Sequence, residues 1–275
     1  MISVVILTKD EEINLPRCLA SVAFSNDVVL VDSGSQDRTL EIARSAGVRV
    51  FTRSFDSFAK QRNFALEQEL RNDWVLHLDA DEAVTPELER ELMEVVRSPM
   101  QFSAFQVASR LIFMGRWLKH AGMYPCYQVR FGRKDTLSFV DFGHGQRELV
   151  KHGKVGTLRA PLEHHNFSKG IADWSRRHLG YARTEAHLYA GVPDAIDFGG
   201  LISTDRVIRR RTLKNISLRI PFRPVLRFLY VYVAKLGFLD GLAGIRYAYL
   251  MCWYQLMIDL CVEEIQAQRL QKELR

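Results

Sequence analysis

A chain of 275 residues, 47% apolar and 25% charged, is long enough for one α/β domain of ordinary size with a helical extension, and too mixed in composition to be fibrous or disordered. Its net charge of +6 is local: from Asp205 to Lys235 there are nine Lys or Arg against one Asp, a net of +8 that leaves the rest at −2. With no recognisable nucleic-acid module, this argues against a nucleic-acid partner. Cys18, Cys126, Cys252 and Cys261 show neither zinc-ligand spacing nor the density of a secreted disulfide scaffold, which points to a reducing compartment.

Ile2 to Leu7 is a β-branched run that reads as a strand from the start. With no basic segment before it, no signal peptide is expected and the chain is placed on the cytoplasmic side. The run ends in Thr8-Lys9-Asp10-Glu11-Glu12. A second strand, Val28 to Val31, ends in Asp32-Ser33-Gly34-Ser35-Gln36-Asp37-Arg38-Thr39, where Ser35 or Asp37 can cap a helix through Leu40, Ile42 and Ala43 that stops at Gly47 in αL. Val48 to Phe51 is the third strand. Phe55 to Leu70 alternates as a helix carrying Lys60-Gln61-Arg62-Asn63, and Trp74 to Leu78 is a buried strand that runs abruptly into Asp79, Asp81 and Glu82. Thr85-Pro86-Glu87 then opens another helix.

Strand, helix, strand at this spacing predicts βαβ units and a mostly parallel sheet, whose ligands bind beyond the carboxyl ends of the strands. Asp10, Glu11, Asp32 and the acidic triplet would meet in that crevice. Three crowded carboxylates repel unless something positive sits among them, and Mg2+ or Mn2+ holding a diphosphate suits such hard oxygen ligands. The plainer alternatives are an acidic loop that caps the next helix and, for Asp32, a turn-forming residue before Ser-Gly.

These three motifs, with Asp79-Ala80-Asp81 as a DxD, resemble in order and spacing the nucleotide-sugar motifs of the family-2 inverting glycosyltransferases. Gly115-Arg116-Trp117-Leu118-Lys119-His120, Tyr124-Pro125 and Gly237-Phe238-Leu239-Asp240-Gly241 resemble the branch that includes the lipopolysaccharide-core β-1,4-glucosyltransferases. The resemblance implies a GT-A fold in which Thr8, Glu11, Asp32, Lys60, Arg62, Asp79 and Ala80 line the site of a UDP-sugar. Asp32 would meet the uracil or ribose, Glu11 would lie near the base, and Asp81 would hold the Mn2+ or Mg2+ on the diphosphate. Asp10 stands where the family usually has asparagine.

Inverting transfer also needs a base for the acceptor hydroxyl. The candidates are Asp135, Asp141, Glu148 and Glu163, with His144 able to share the role. The resemblance favours Glu148, because Gln146-Arg147-Glu148 sits where relatives carry a His-Glu pair; Arg147 replaces that histidine. Gln101 to Phe113 and Tyr127 to Phe131 read as strands on the acceptor side. In Glu163-His164-His165-Asn166 the adjacent histidines lack zinc spacing, but the resemblance implies that one, His165 or else His164, completes the cation's coordination.

Asp173 caps a helix to Tyr189, in which Arg176 and Arg177 either meet a lipid phosphate or are solvated. The aromatic, basic segments Pro221 to Val233 and Tyr247 to Ile258 have no uncharged run of about 18 residues, so they read as helices lying on an anionic membrane surface. The alternative is helices packed on the catalytic domain. The expectation is an α/β, GT-A-like, mostly parallel sheet sandwiched by helices (residues 1–168) with an amphipathic helical extension (169–275). It would be a peripheral protein of the inner face of the cell membrane, moving a sugar from a UDP-sugar to a glycolipid or polyprenyl-diphosphate-linked acceptor. A polyprenyl-phosphate glycosyltransferase and an inactive nucleotide-sugar-binding scaffold are the alternatives.

Overall fold

The computed structural model describes residues 1–98, 101–142, 145–190, 198–205, 208–209, 212, 216, 220 and 222–273. The N-terminal apolar run forms β1 (Ile2–Thr8), buried along its length apart from half-buried Leu7. It lies between β2 (Asp27–Asp32) and β4 (Trp74–Asp79), parallel to both, and β3 (Arg49–Thr52) continues the sheet beyond β2. The chain thus builds outward on one side of β1 and returns to its other side, which opens a crevice at the carboxyl ends of β1 and β4.

Both faces of this parallel half are covered, so its strands are nearly uninterrupted apolar runs. Val4, Ile6, Leu30, Leu76 and Leu78 pack with Leu15 and Cys18 of α1 (Leu15–Ser21), Ala43 of α2 (Thr39–Ser45) and Leu88 and Leu92 of α4 (Pro86–Arg97). The alternate residues Val5, Val29, Val31 and Val75 face Phe64 and Ala65 of α3 (Phe58–Glu67), a helix shorter at both ends than its sequence periodicity suggests. Thr85 caps α4 by accepting from the Leu88 N–H at 3.2 Å, and Gly47 ends α2 at φ 69°, both as expected from their residue types.

The second half of the sheet is mixed. β8 (Tyr127–Arg133) is antiparallel to β4 and to the twelve-residue β6 (Phe102–Phe113). Trp74, Phe105 and Phe131 pack there, with ring centroids 4.9 to 6.1 Å apart. Beyond β6, β12 (Leu162–His164) pairs antiparallel with the short β5 (Glu82–Val84), setting His164 opposite Glu82. β9 (Leu137–Phe142) and β10 (Gly145–Val150) form a separate two-stranded hairpin that packs on α3.

The chain divides into two units, Met1–Ile171 and Ala172–Arg275. The second is helical, with α5 (Ile171–Tyr189), α6 (Arg223–Leu229) and α7 (Gly241–Glu273). Asp173 lies within the first turn of α5 and bonds Arg177 at 2.9 Å instead of capping the helix. Part of the aromatic stripe is core: Trp174 stacks on His178 at 3.7 Å and lies 6.1 Å from Trp253, and Tyr254 donates to Glu185 at 3.0 Å. Another part is open, with Val225, Leu229, Val233 and Leu239 each about half exposed or more. Arg223 of the basic stretch pairs with Asp259, while Arg206, Arg210, Arg211, Lys214, Arg219 and Pro221 lie outside the described residues. Among the described residues no single helix is long and apolar enough to cross a membrane; one pair, Arg223–Ala234 and Gly237–Lys272, bent by 72°, meets the length and composition together.

Candidate functional site

Thr8 lies opposite Asp32, and Leu7 opposite Asp79, so the polar ends of β1, β2 and β4 share one edge. The loops leaving β1 and β2 are laced by reciprocal bonds. The Asp10 N–H donates to Ser35 Oγ (2.8 Å) and the Gln36 N–H to Asp10 Oδ1 (2.7 Å). The Glu12 N–H donates to Asp37 Oδ2 (3.0 Å) and the Arg38 N–H to Glu12 Oε2 (3.1 Å). Asp37 also takes the Thr39 N–H, so it and not Ser35 serves the start of α2. Asp10 has φ 54°, a left-handed conformation that Asn and Asp tolerate best among side-chain-bearing residues, which accounts for either residue at this position.

Asp32 has no exposed surface and accepts from the N–H groups of Gly34 and Ser35 (2.8 Å each), from Thr8 Oγ1 (3.1 Å) and from Ser35 Oγ. Those donors fill the capacity of a carboxylate. Asp32 and Thr8 thus build the turn, and the expected contact of Asp32 with uracil or ribose would have to share or displace one of these donors.

The acidic triplet is held from two sides by buried arginines. Arg62 Nη2 lies 2.6 Å from Asp79 Oδ1, and Arg130 Nη2 is 2.9 Å from both Asp79 Oδ2 and Glu82 Oε1. Arg62 is 1% and Arg130 5% exposed, so neither is the solvated cation that a lone arginine usually is. Burial alone would raise the Asp79 carboxyl, but Arg62 and Arg130 hold it well below the usual carboxylate range; burial keeps Glu82 raised in spite of Arg130. Arg62, expected to line the UDP-sugar site, is thus buried beside Asp79, which it pairs with. Lys60 points away: it is 60% exposed and sits 3.5 Å from Asp56.

With Asp79 and Glu82 committed, Asp81 is the member of the triplet that faces His164, Oδ2 to Nε2 at 3.3 Å. Burial pushes the His164 ring down, yet Asp81, with Glu82 and Asp79 behind it, raises it to about 9. The expected partner His165 is not the one: its backbone N–H reaches the Asp81 carbonyl at 2.8 Å, but its ring lies 3.2 Å from Glu163 and is pushed down by burial and Arg17. Adjacent residues at a strand end face opposite ways, so only one imidazole can meet Asp81. Ala80 is buried, its N–H bonded to the Leu7 carbonyl at 3.3 Å. Glu11 lies close enough to feel the Asp81 charge; burial raises its carboxyl against the pull of Lys169, whose ammonium it binds.

The β9–β10 hairpin brings in Glu148. Asn63 of α3 bonds both the N–H (3.0 Å) and the C=O (2.8 Å) of Phe139, the residue directly opposite Glu148. On the same face Gln146 accepts from Arg62 Nε at 3.1 Å, and the Glu148 charge is felt by both Arg62 and Arg130. The other base candidates stand elsewhere: Asp135 is 69% exposed beside His152, Asp141 is exposed, and Glu163 faces His165. His144 lies outside the described residues. Arg130, Lys169 and Gln146 escaped the sequence reading. For Arg130 a signal existed, a charge between Val129 and Phe131 in a buried strand; Lys169 carried none.

Among the described residues no group of three or more His, Cys, Asp or Glu side chains is arranged to hold a metal ion. Asp81 and His164 supply two donors, which fits a cation that completes its shell with diphosphate oxygens and water and not one caged by protein alone.

The sequence model of glycosyl transferase family 2 matches residues 3–147. An uncharacterized glycosyltransferase of Rickettsia typhi is 35% identical over 145 residues, covering 51% of this chain and 49% of that protein. The lipopolysaccharide core biosynthesis glycosyltransferase LpsC of Rhizobium meliloti is 32% identical over 168 residues, 58% of this chain and 60% of LpsC. The chain thus spans about half the length of the first of these curated relatives. Among solved structures, Staphylococcus aureus TarS residues 1–349 superimposes with a TM-score of 0.45 at 13% identity, covering 98% of this chain and 91% of that one. The glucosyl-3-phosphoglycerate synthase of Mycobacterium tuberculosis in complex with Mg2+ and uridine diphosphate gives 0.46 at 16% identity, covering 71% and 81%.

Two predictions follow from the charges. Arg130→Met leaves Asp79 and Glu82 short of a buried partner and should lower stability in urea unfolding by about 3–5 kcal/mol; a loss under about 1 kcal/mol, the scale of an exposed ion pair, would refute the buried-pair reading. His164 has its folded pKa raised from 6.5 to about 9. Its pairing with Asp81 therefore stabilises fully below pH 6.5 and is lost as the pH rises through 9. In metal-free protein the Tm advantage of wild type over Asp81→Asn should shrink between pH 6.5 and 9; a constant difference would contradict the pairing.

Proposed function

Because the chain belongs to glycosyl transferase family 2, we propose that it is an inverting hexosyltransferase that moves a sugar from a UDP-sugar, with glucose the first to test, to a membrane glycolipid. The observation that carries this reading is the division of the acidic strand end: Asp79 and Glu82 are neutralised by Arg62 and Arg130, while Asp81 and His164 remain paired with each other. A structural acidic cluster needs no such asymmetry.

In this reading Asp81 and the neutral His164 ring would hold Mn2+ or Mg2+. The cation's part is to neutralise the charge that develops on the departing diphosphate. The protein's own groups do the rest. The laced loops at residues 8–12 and 32–39 present backbone and Glu11 toward the base and ribose, and Lys169 offers a cation beside them. Arg62 and Arg130 keep Asp79 ionised and hold Asp79 and Glu82 in place, which leaves Asp81 as the carboxylate that faces His164. Glu148 takes the proton of the acceptor hydroxyl on its carboxylate as the oxygen attacks the anomeric carbon from the face opposite the leaving group. Gln146 and Arg62 tie Glu148's strand to the donor side.

A membrane-borne acceptor is supported by the exposed apolar side chains of the second unit interleaved with Arg227 and Lys235, and by the likeness to LpsC. The protein would then lie on the cytoplasmic face as a peripheral component of lipopolysaccharide or related envelope-glycan synthesis.

Thermal-shift titration with UDP-, GDP- and dTDP-sugars, with and without Mn2+, tests the donor site. One UDP-sugar should raise Tm only with Mn2+, and Asp81→Ala should abolish the rise. Glu148→Gln should keep that rise and lose at least about a hundredfold in transfer, the scale of general-base catalysis. Retained turnover in Glu148→Gln would move the base elsewhere, and no donor-dependent shift in folded protein would overturn the donor site.

A further inference from the structure

The hairpin that carries Glu148 has a second face that donor binding and proton transfer leave unused. Strand alternation sends Leu137, Phe139, Gln146 and Glu148 inward and Val140, Phe142, Arg147 and Leu149 outward. The inward pair Leu137 and Phe139 is 1% and 3% exposed, whereas Val140, Phe142 and Leu149 are 41%, 59% and 43% exposed. Arg147 lies over the Phe142 ring at 4.2 Å, and Lys151, exposed and bonded through its N–H to Thr136, continues the same row. The outward row carries two cations and no carboxylate: Asp141 belongs to the inward parity opposite Gln146, and Asp135 is beside His152.

We propose that this outward face docks on an anionic lipid bilayer, which would hold the hairpin, with Glu148 on its inner face, close to the headgroup layer from which a glycolipid acceptor would reach the site. The inference rests on the membrane-acceptor reading above and adds a contact from the catalytic unit itself. Its charge pattern complements anionic headgroups, with Arg147 and Lys151 at the headgroup level and Phe142, Val140 and Leu149 entering the interface. A handful of side chains on one hairpin is well short of the roughly 800 Å² per partner that a stable protein interface buries, but it is sufficient for a peripheral membrane contact that adds to others. Because successive residues of β10 alternate, the surface lies one residue from the base, and docking would orient the site as well as anchor it.

The test is co-sedimentation of the full chain with vesicles of phosphatidylcholine containing phosphatidylglycerol, comparing wild type, Phe142→Asp/Leu149→Asp and Arg147→Ala/Lys151→Ala. Arg147→Ala/Lys151→Ala should partition about tenfold or more weakly, as expected for the loss of two cations near an anionic surface at about 1 kcal/mol each, and the aspartate pair should also bind more weakly, because it removes two apolar side chains and sets two carboxylates against anionic headgroups. The variant lacking the two cations should also lose much of the salt dependence, and both should keep the donor-dependent thermal shift. If the aspartate pair impairs folding, the alanine pair decides. Wild type that binds while both folded variants bind equally well would overturn this surface and leave the membrane reading standing; wild type that fails to bind anionic vesicles would overturn both. Self-association in sedimentation velocity that is abolished by Phe142→Asp/Leu149→Asp, with vesicle binding unchanged, would assign the face to a second copy instead.

Discussion

The buried bonds from Arg62 and Arg130 to Asp79 and Glu82 are the constraint on which the rest of the first unit depends. Four ionisable groups buried at a strand end are tolerable only if they are paired and further bonded, because the cost of removing charges from water can exceed their bare attraction. The arrangement goes far toward that condition by recruiting distant parts of the chain: α3 supplies Arg62, β8 supplies Arg130, and β10 supplies Gln146 to Arg62 Nε, while Arg62 Nη1 and Arg130 Nε stay buried without a hydrogen-bond partner among the described residues. The insertion of β8, antiparallel to both neighbours, is what delivers Arg130 between β4 and β6. The site and the sheet topology therefore specify each other.

With Asp79 and Glu82 each paired to a guanidinium, Asp81 is left against His164, whose ring burial pushes down and this carboxylate raises to about 9. The same balance makes His77 inert: burial and the two arginines hold its ring neutral among the aromatic side chains below the site.

What could be read from the sequence was whatever depends on neighbours along the chain. Strand ends, the left-handed Gly47, the Thr85 cap and the acidic triplet are local features with local causes. What could not be read was the partner of each charge, which is set by pairing across the sheet. For Asp32 the resemblance implies a nucleotide contact, while the donors it meets in the structure include its own turn neighbours Gly34 and Ser35. The resemblance groups Lys60 with Arg62, yet a two-residue offset, roughly half a turn of helix, separates a solvent-exposed lysine from an arginine that is almost wholly buried. The choice between His164 and His165 turns on the register of β12 against β5, a long-range fact. In the C-terminal stretch the aromatic and apolar residues divide, since Trp253 and Tyr254 pack within the second unit while Leu229 and Leu239 are open, a division set by contacts distant in sequence.

The replacement of the expected histidine by Arg147 has a similar origin. On β10 the residues before and after it, Gln146 and Glu148, face Arg62 and Arg130, so Arg147 must face the other way and contributes nothing to the inner chemistry. Its substitution alters the outer surface alone. A one-residue slip of the hairpin would exchange the two faces, presenting Arg147 to the buried arginines and Glu148 to solvent. The two bonds from Asn63 to Phe139 oppose that slip, because only Phe139 in this register offers its N–H and C=O to α3. Asn63 thus protects the placement of Glu148 without touching it, and the same bonds decide which face of the hairpin is left to meet its surroundings.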